Sequence, residues 1–223
     1  MRNPGGQAPR SRAAASSARP RGTLILDALE RLLARAPMSD LDVEAIAAEA
    51  GITRTRFYAY YASKDDALAA LLHRMIDVRN AAYQHPDSWF VGRPPEVRPR
   101  DSVRRAIKMA IDVAWPHRFV LREACDLWTA APAVRGAWLD VIDAAASQHQ
   151  AAIIRERERG VAPPGGDARH TAQALAWQAE RLSFRTWAQL PGAMSREELG
   201  DVCLEAYMRM IFLDDDPDPE RIP

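Results

Sequence analysis

The amino-acid sequence predicts an all-α protein of about nine helices, and three observations support this fold class. Apolar residues make up 48% of the 223 positions, so the chain can bury a sizeable core. The alternation of apolar and polar residues that is typical of a strand is not sustained anywhere. Clusters of proline or glycine stand between stretches of helical periodicity, where they would separate one helix from the next.

The first three predicted helices lie within residues 23–64. The first covers residues 23–35, with an apolar face at helical spacing that consists of Ile25, Leu29, Leu32 and Leu33. Two short helices follow within residues 42–64, and Gly51 stands at the turn between them, where a left-handed backbone costs a glycine least. Thr53 then occupies the N-cap of the second short helix. This arrangement predicts a helix-turn-helix, whose second helix can project polar side chains into the DNA major groove.

The remaining helices follow in order and are separated by loops. Ser63 and Asp66 open the fourth helix in a pattern that resembles a capping box, and a proline-rich loop covers residues 84–99. Further helices are predicted at residues 101–115, 116–130, 132–159, 167–190 and 196–213. Ser195 and Glu198 form a capping box at the start of the last one, and the acidic tail at residues 216–223 is predicted to fray.

The segment at residues 42–64 resembles the DNA-binding motif of the TetR family of repressors. The matching residues are Ala47, Ala50, Gly51, Ile52, Thr53, Phe57, Tyr58, Tyr60, Tyr61, Ser63 and Lys64. The resemblance implies a three-helix DNA-binding domain at residues 23–68 and a larger ligand-binding and dimerisation domain at residues 69–215. It also implies a ligand-responsive transcriptional repressor that binds a palindromic operator in double-stranded DNA and is released by a small apolar effector.

The same resemblance implies a homodimer that forms through the eighth and ninth helices. A dimer also follows from the predicted function, since one short recognition helix reads too few base pairs. A two-fold dimer can read both halves of a palindrome.

The second helix of the motif supplies the predicted base contacts. Phe57 and Tyr61 lie four residues apart, so they share one face, which we assign to the core. Arg54 and Arg56 then lie outside, and they are the predicted base readers because arginine can pair bidentately with guanine. Solvation or a contact with phosphate alone is the alternative for both arginines. By resemblance to the family, Thr55 also approaches the bases.

Four further residues of the motif are predicted to contact the DNA backbone. Tyr58, Tyr60 and Lys64 match positions at which the family holds the backbone, and Thr53 could bond a phosphate as well as cap its helix. Lys64 also opens the fourth helix, whose N-terminal dipole attracts phosphate. For Tyr60, half-buried packing is the alternative.

Charge is distributed unevenly along the chain. Residues 1–22 carry five arginines and no acidic residue, although the whole chain has a net charge of zero. The remainder is therefore slightly acidic, which suits a protein that touches DNA through one end. The composition of this arm predicts disorder. Arg19 and Arg21 lie nearest the fold, and they either contact DNA or belong to a solubilising tail.

Apolar side chains on the fifth to eighth helices are the predicted ligand-binding residues. They are Met109, Trp115, Phe119, Trp128, Trp138, Ile142, Trp177, Ala179 and Phe184. Such residues form a core by default, and they also line effector pockets, which are mostly apolar. Trp138, Glu180, Arg181 and Phe184 stand at matching places in one branch of the family, so this half of the chain further resembles the actinobacterial repressors of the ethionamide-activating monooxygenase. That branch has larger pocket side chains where this chain has Ala110, Ala114, Ala145, Ala176 and Ala179.

No motif of an enzyme active site or of a cofactor site occurs in the sequence. Glycine-rich phosphate loops, a nucleophile elbow and a zinc-binding HExxH motif are missing. The acidic run at residues 214–216 is interpreted as a solvated tail, and Cys125 and Cys203 as buried structural thiols. We therefore expect a cytoplasmic protein with no catalytic activity, cofactor, metal or membrane contact. The alternative is a helical small-molecule-binding protein or enzyme whose motif no longer binds DNA.

Overall fold

The structure is a computed structural model that describes residues 21–84 and 88–213, and those residues form helices and loops without a strand. The predicted all-α class is therefore confirmed. Nine α-helices lie in the described residues: α1 (Arg21–Leu33), α2 (Val43–Glu49), α3 (Arg54–Tyr58), α4 (Lys64–Tyr83), α5 (Pro99–Ala114), α6 (Arg118–Leu127), α7 (Pro132–Glu158), α8 (Ala168–Trp187) and α9 (Arg196–Tyr207). Most of the predicted basic arm, including Arg19, the side chain of Arg21 and the acidic tail from residue 214 lie outside the described part.

Local side-chain hydrogen bonds begin the helices where the sequence predicts them. Thr53 and Ser63 each accept the backbone N–H of the residue three positions on, at 3.2 and 3.1 Å. Ser195 does the same at 3.2 Å, and Glu198 accepts the backbone N–H of Ser195 at 2.8 Å, which completes the predicted capping box. Gly51 has a φ of 68°, so the turn of the helix-turn-helix is left-handed as expected.

Several helix ends differ from the prediction by one to six residues, and three of them are informative. The chain enters α1 at Arg21, two residues earlier than the sequence suggests. Pro116 does not open α6 but lies in a 3-10 turn at Trp115–His117, because proline fixes its own φ and lacks the N–H that a continuous helix needs. The ninth helix ends as an α-helix at Tyr207 and continues as a π turn at Met208–Phe212, after which Leu213 adopts a left-handed conformation.

One continuous apolar core joins the helix-turn-helix to the rest of the molecule. It runs from Ile25 and Phe57 through Leu68 and Leu72 to Trp138 on α7, and all five are almost fully buried. A second core lies among α5, the C-terminal half of α7, α8 and α9. The predicted domain boundary at residue 68 falls inside α4, which runs unbroken from the motif into the larger helical body. The division into domains remains a prediction.

A buried ion pair fixes the loop before α5 against α7. Arg93 donates to Glu156 at 2.7 Å, and the two side chains are 0% and 3% exposed. The same guanidinium donates to the carbonyl of Val97 at 2.6 Å, so its remaining polar atoms have partners as well. This anchoring holds Phe90 beside α4 and α7, where its ring stacks on Tyr83 with a centroid distance of 4.3 Å.

Candidate DNA-binding surface and ligand cavity

The recognition helix α3 is fixed by a single buried aromatic side chain and a half-buried neighbour. Phe57 is fully buried, and its ring contacts that of Tyr61 at a centroid distance of 5.9 Å. The Tyr61 hydroxyl donates to the carbonyl of Gly22 at 3.4 Å, which ties α3 to the start of α1. The inward face of α3 therefore consists of the two residues that the sequence assigns to it, and its other side chains face outward.

The predicted DNA contacts of α3 form an exposed polar surface. Its members, Thr53, Arg54, Thr55, Arg56, Tyr58 and Tyr60, are all exposed. Tyr60 is 41% exposed and its ring lies beside Gly22 at the start of α1, so both the contact with DNA and the half-buried packing stay open for it. The structure thus brings together six of the seven predicted DNA-binding residues on one side of the motif.

The two arginines of this surface are held differently. Arg54 pairs with Glu44 on α2 at 2.6 Å and also donates to the Tyr58 hydroxyl at 3.4 Å. Arg56 lies over the ring of Tyr60, 5.7 Å from its centroid, and has no ion pair among the described residues. Exposed ion pairs are weak, so Arg54 can leave its partner at little cost. Arg56 has no acidic partner to leave.

Lys64, the seventh predicted contact, already has partners within the protein. Its ammonium donates to the carbonyls of Met38 and Leu41, both at 2.7 Å, and the side chain is half-buried. These carbonyls belong to the 3-10 turn that joins α1 to α2. On the other side of the same turn, Glu123 of α6 accepts the backbone N–H of Met38 at 2.8 Å. Lys64 therefore fastens the turn before α2 to the start of α4, and its contact with the DNA backbone stays a prediction.

A cavity of about 180 Å³ lies between α4, α5, α7, α8 and α9. Three of the nine predicted ligand-binding residues, Trp138, Ile142 and Ala179, line it. The walls are mainly apolar, and they leave space because five alanines stand where larger side chains would fill it. These are Ala110, Ala114, Ala145, Ala176 and Ala179, the same five positions that the branch resemblance assigns to a pocket.

The other six predicted ligand-binding residues lie away from this cavity. Trp128 and Trp177 pack on each other with ring centroids 6.2 Å apart. Arg118 lies over the rings of both Trp115 and Phe119, at 4.9 and 4.3 Å from their centroids. Phe184 lies beneath Arg181, and Met109 is half-buried on α5. None of the six lines this cavity, because the rings of the five aromatic residues pack on one another or under arginines. Their contact with a ligand stays a prediction.

Polar side chains at one end of the cavity were not anticipated from the sequence. His149 donates through Nδ1 to the carbonyl of Ala145 at 2.5 Å, and its Nε2 accepts the hydroxyl of Tyr207. Burial lowers the pKa of His149 to about 4 and raises that of Tyr83 to about 12. Both groups are thus uncharged near neutral pH.

Arg79 also lines this end of the cavity and lies on α4, four residues before Tyr83. It donates through Nη1 to the carbonyl of Val141 at 3.2 Å. The sequence offered one signal that was missed. Arg79 continues the apolar stripe of α4 through Leu68, Leu72 and Met75, at spacings of three and four residues.

Both cysteines are buried, as the sequence suggests. Cys125 donates to Glu180 at 3.4 Å, and burial is the main cause that raises the pKa of this thiol. Burial also raises the pKa of Cys203 to about 11. The described residues include no cluster of acids, histidines or cysteines that could hold a metal ion. None of the helices in the described ranges is both long and apolar enough to cross a membrane.

Comparison with known proteins gives two family matches that follow each other along the chain. Residues 25–71 match the bacterial regulatory proteins of the tetR family, and residues 103–213 match the C-terminal domain of the transcriptional regulator EthR. The chain is 27% identical to the HTH-type transcriptional regulator EthR of Mycobacterium tuberculosis, over 88% of this chain and 91% of that protein. It is 26% identical to EthR of Mycolicibacterium smegmatis, over 88% and 90%.

Solved structures show the same fold. One is a TetR-family transcriptional regulator from Rhodococcus sp., with a TM-score of 0.69 and 20% sequence identity. The similarity covers 86% of this chain and 98% of that one.

Proposed function

The chain belongs to the TetR family of DNA-binding transcriptional repressors, and from this premise we propose how its residues read an operator and how a ligand releases it. Its relatives are named transcriptional regulators rather than enzymes. Regulators of this family bind DNA, dimerise and respond to ligands. The alternative of an enzyme or binding protein with an inactive motif is not favoured, since a protein that does not bind DNA would not need an exposed basic recognition helix.

In this proposal α3 lies in the DNA major groove and Arg56 is the principal base reader. Arg56 is exposed and unpaired among the described residues, so it can meet guanine without losing another partner. Arg54 reads a second position after it leaves Glu44, and Thr55 lies between the two arginines. Thr53, Tyr58 and Tyr60 contact the DNA backbone at the rim of the same surface.

The dimer forms through α8 and α9. Support comes from exposed apolar side chains at Val202, Met210 and Leu213, which are 41%, 37% and 68% exposed. They lie at helical spacing with Ala206, so they follow one side of α9 and the π turn that continues it. A soluble protein gains by covering such a stripe, and a second copy would cover it through a two-fold contact.

This interface can be tested by replacing each of two exposed valines with glutamate in separate variants. Val202→Glu places a charge in the proposed contact, whereas Val78→Glu places the same charge on α4, where valine is 45% exposed. Val202→Glu is expected to give a monomer in light scattering and Val78→Glu a dimer. A Val202→Glu protein that stays dimeric excludes this surface.

The effector occupies the cavity, and α4 transmits its presence to α3. The single observation that carries this part is the path of α4. It begins at Lys64, directly after the recognition segment, and its C-terminal half lines the cavity with Met75, Ile76, Arg79 and Tyr83. A ligand that displaces this half of α4 moves α3 with it. The two recognition helices of the dimer then no longer match successive major grooves.

The experiment that tests the function is a footprint on the DNA upstream of the protein's own gene. We expect protection of a two-fold symmetric site by a dimer, with an affinity that falls steeply as salt rises because phosphate contacts release counterions. Binding that is independent of sequence, with no protected site, would contradict the proposal.

A further inference from the structure

Arg79 is a partly buried cation that lacks an acidic partner. Its Nε and Nη2 atoms are shielded from solvent and have no hydrogen-bond partner, although Nη1 donates to the carbonyl of Val141. No ion pair of Arg79 occurs in the part of the chain that the structure describes. The nearest aromatic ring, that of Tyr83, lies 5.8 Å from the guanidinium carbon. Three of the five N–H donors therefore have no partner in the protein.

Such an arrangement is costly unless something pairs with it. Arginine stays protonated when it is buried, so the guanidinium cannot lose its charge to relieve the cost. An isolated buried charge destabilises a fold, whereas a paired one is offset by its partner and by hydrogen bonds. The contrast within the chain is Arg93, whose buried guanidinium is paired with Glu156.

The groups around Arg79 offer it no negative charge. His149 is neutral and both of its ring nitrogens have partners. The Tyr83 hydroxyl has no hydrogen-bond partner among the described residues and can donate. Glu180 lines the cavity from α8, but its carboxylate accepts from Cys125 and lies 3.4 Å from Arg181. The cavity thus has a cationic, donor-rich end on α4, and the rest of its wall is mainly apolar apart from the Glu180 carboxyl group and the Trp138 indole N–H.

We propose that the effector is a small amphipathic carboxylic acid whose carboxylate pairs with Arg79 and whose apolar part fills the cavity. This inference rests on the proposed function, because it names the chemical class of the effector that the cavity takes. A carboxylate matches the planar fork of a guanidinium in two parallel hydrogen bonds, and Tyr83 adds a further donor. The volume of about 180 Å³ lies below the range of roughly 300–1,000 Å³ for drug-sized ligands, which favours a small acid.

The position of Arg79 also gives the acid a means of control. Arg79 lies on α4, so an anion bound there interacts with the helix that carries α3. A ligand shifts an equilibrium only through its different affinity for two states. If the carboxylate pairs better with Arg79 in one position of α4 than in another, the acid binds the two conformations with different affinity. Contacts between its apolar part and the cavity wall add to this difference.

The test compares straight-chain acids with their neutral amides, which have the same length and nearly the same shape. Butanoate, hexanoate, octanoate and decanoate, each with its amide, are titrated calorimetrically into the full chain and then added to the protein–operator complex. At least one acid is expected to bind about tenfold or more tightly than its amide and to release the operator. Equal binding of acid and amide throughout, or no binding by any acid, overturns the inference.

Two variants locate the effect. Arg79→Met removes the buried cation and keeps an apolar side chain of similar length, and Arg104→Met removes a cation that is 53% exposed on α5. The preference for the acid should disappear in Arg79→Met and persist in Arg104→Met. The free Arg79→Met protein should melt at the same temperature as wild type or higher, since an unpaired buried charge is gone. An Arg79→Met protein that keeps the preference for the acid, or that melts several degrees lower than wild type, overturns the inference.

The same data separate this inference from the proposed function. If amides bind as well as acids and both release the operator, the cavity still controls DNA binding and only the acidic class is wrong. If filling the cavity by any probe leaves the operator complex intact, control through the cavity is itself contradicted.

Discussion

The recognition surface on α3 and the helical body behind α4 hold their charged side chains in different ways. On the recognition surface, Arg54 and Glu44 form an ion pair at 2.6 Å with side chains that are 60% and 52% exposed. In the body, Arg93 and Glu156 are paired out of contact with water, and Arg79 has two shielded guanidinium nitrogens without an acidic partner. Water screens the first pair, so its arginine can be transferred to DNA at little cost. A buried cation instead requires a partner, from the protein or from a ligand.

The largest expected effect contrasts the two glutamates. Glu156→Gln leaves the buried Arg93 without its counter-ion and should lower the free energy of unfolding by about 3–5 kcal/mol. Glu44→Gln removes the exposed partner of Arg54 and should leave stability almost unchanged. Urea denaturation of both variants measures the difference. Similar losses of stability in the two variants would contradict the proposed difference between buried and exposed ion pairs in the two regions.

Lys64 sharpens the same contrast at the junction of the two regions. Lys64→Met removes both hydrogen bonds to the turn after α1 and should destabilise the protein by about 2–3 kcal/mol. Lys108→Met, at a lysine that is 75% exposed, is the matched control and should have little effect. A Lys64→Met protein with wild-type stability and weaker DNA binding would instead support the contact with DNA phosphate that the sequence predicts.

Acid should destabilise the body through His149. Its pKa is about 4 in the folded protein, against 6.5 for an ordinary histidine, so the unfolded chain binds a proton first as the pH falls. The contribution of neutral His149 to the free energy of unfolding is present above pH 6.5. It decreases on acidification, by about 2 kcal/mol between pH 6.5 and pH 5.

Comparison with His149→Gln isolates this contribution from that of the carboxyl groups. His73→Gln, at an exposed histidine, is the control and should retain the wild-type pH dependence of urea denaturation. If His149→Gln also retains it, the histidine is not the group responsible.

Among the arginines, Arg56 should carry more base preference than any exposed arginine elsewhere in the motif. Arg56→Ala is expected to relax discrimination at one operator position by about 1–3 kcal/mol in competition binding. Arg35→Ala, at an arginine that is 66% exposed in the turn after α1, should leave the preference of wild type intact. Equal relaxation in both would show that α3 does not read bases through Arg56.

The two regions also differ in how far sequence alone defines them. The turn at Gly51, the caps at Thr53 and Ser195 and the inward face of α3 depend on neighbours in sequence, so short-range rules place them. The cavity depends on which faces of five distant helices meet. Aromatic content therefore misplaces Trp115, Trp128 and Trp177, which pack elsewhere.

Resemblance succeeded at the cavity where composition did not. The alanines at 110, 114, 145, 176 and 179, which the branch resemblance assigns to a pocket, do line the cavity. No resemblance identified Arg79 as a cavity residue. Only its position in the apolar stripe of α4 could have predicted that its side chain faces the interior. Lys64 shows where resemblance alone is not enough. Its family position predicts a contact with DNA, whereas in this structure its side chain donates to a turn of the protein.

The central claim is that filling the cavity releases DNA through α4, and Ala179→Trp tests it most directly. Ala179 lies on the cavity wall, whereas Ala151 is exposed on α7, outside the proposed dimer interface, so Ala151→Trp is the matched control. The measurement is operator affinity by fluorescence anisotropy in variants shown to be folded and dimeric. Ala179→Trp is predicted to weaken operator binding by about 1–3 kcal/mol, and Ala151→Trp is predicted to leave it unchanged. A folded Ala179→Trp dimer that binds the operator as tightly as wild type would contradict it.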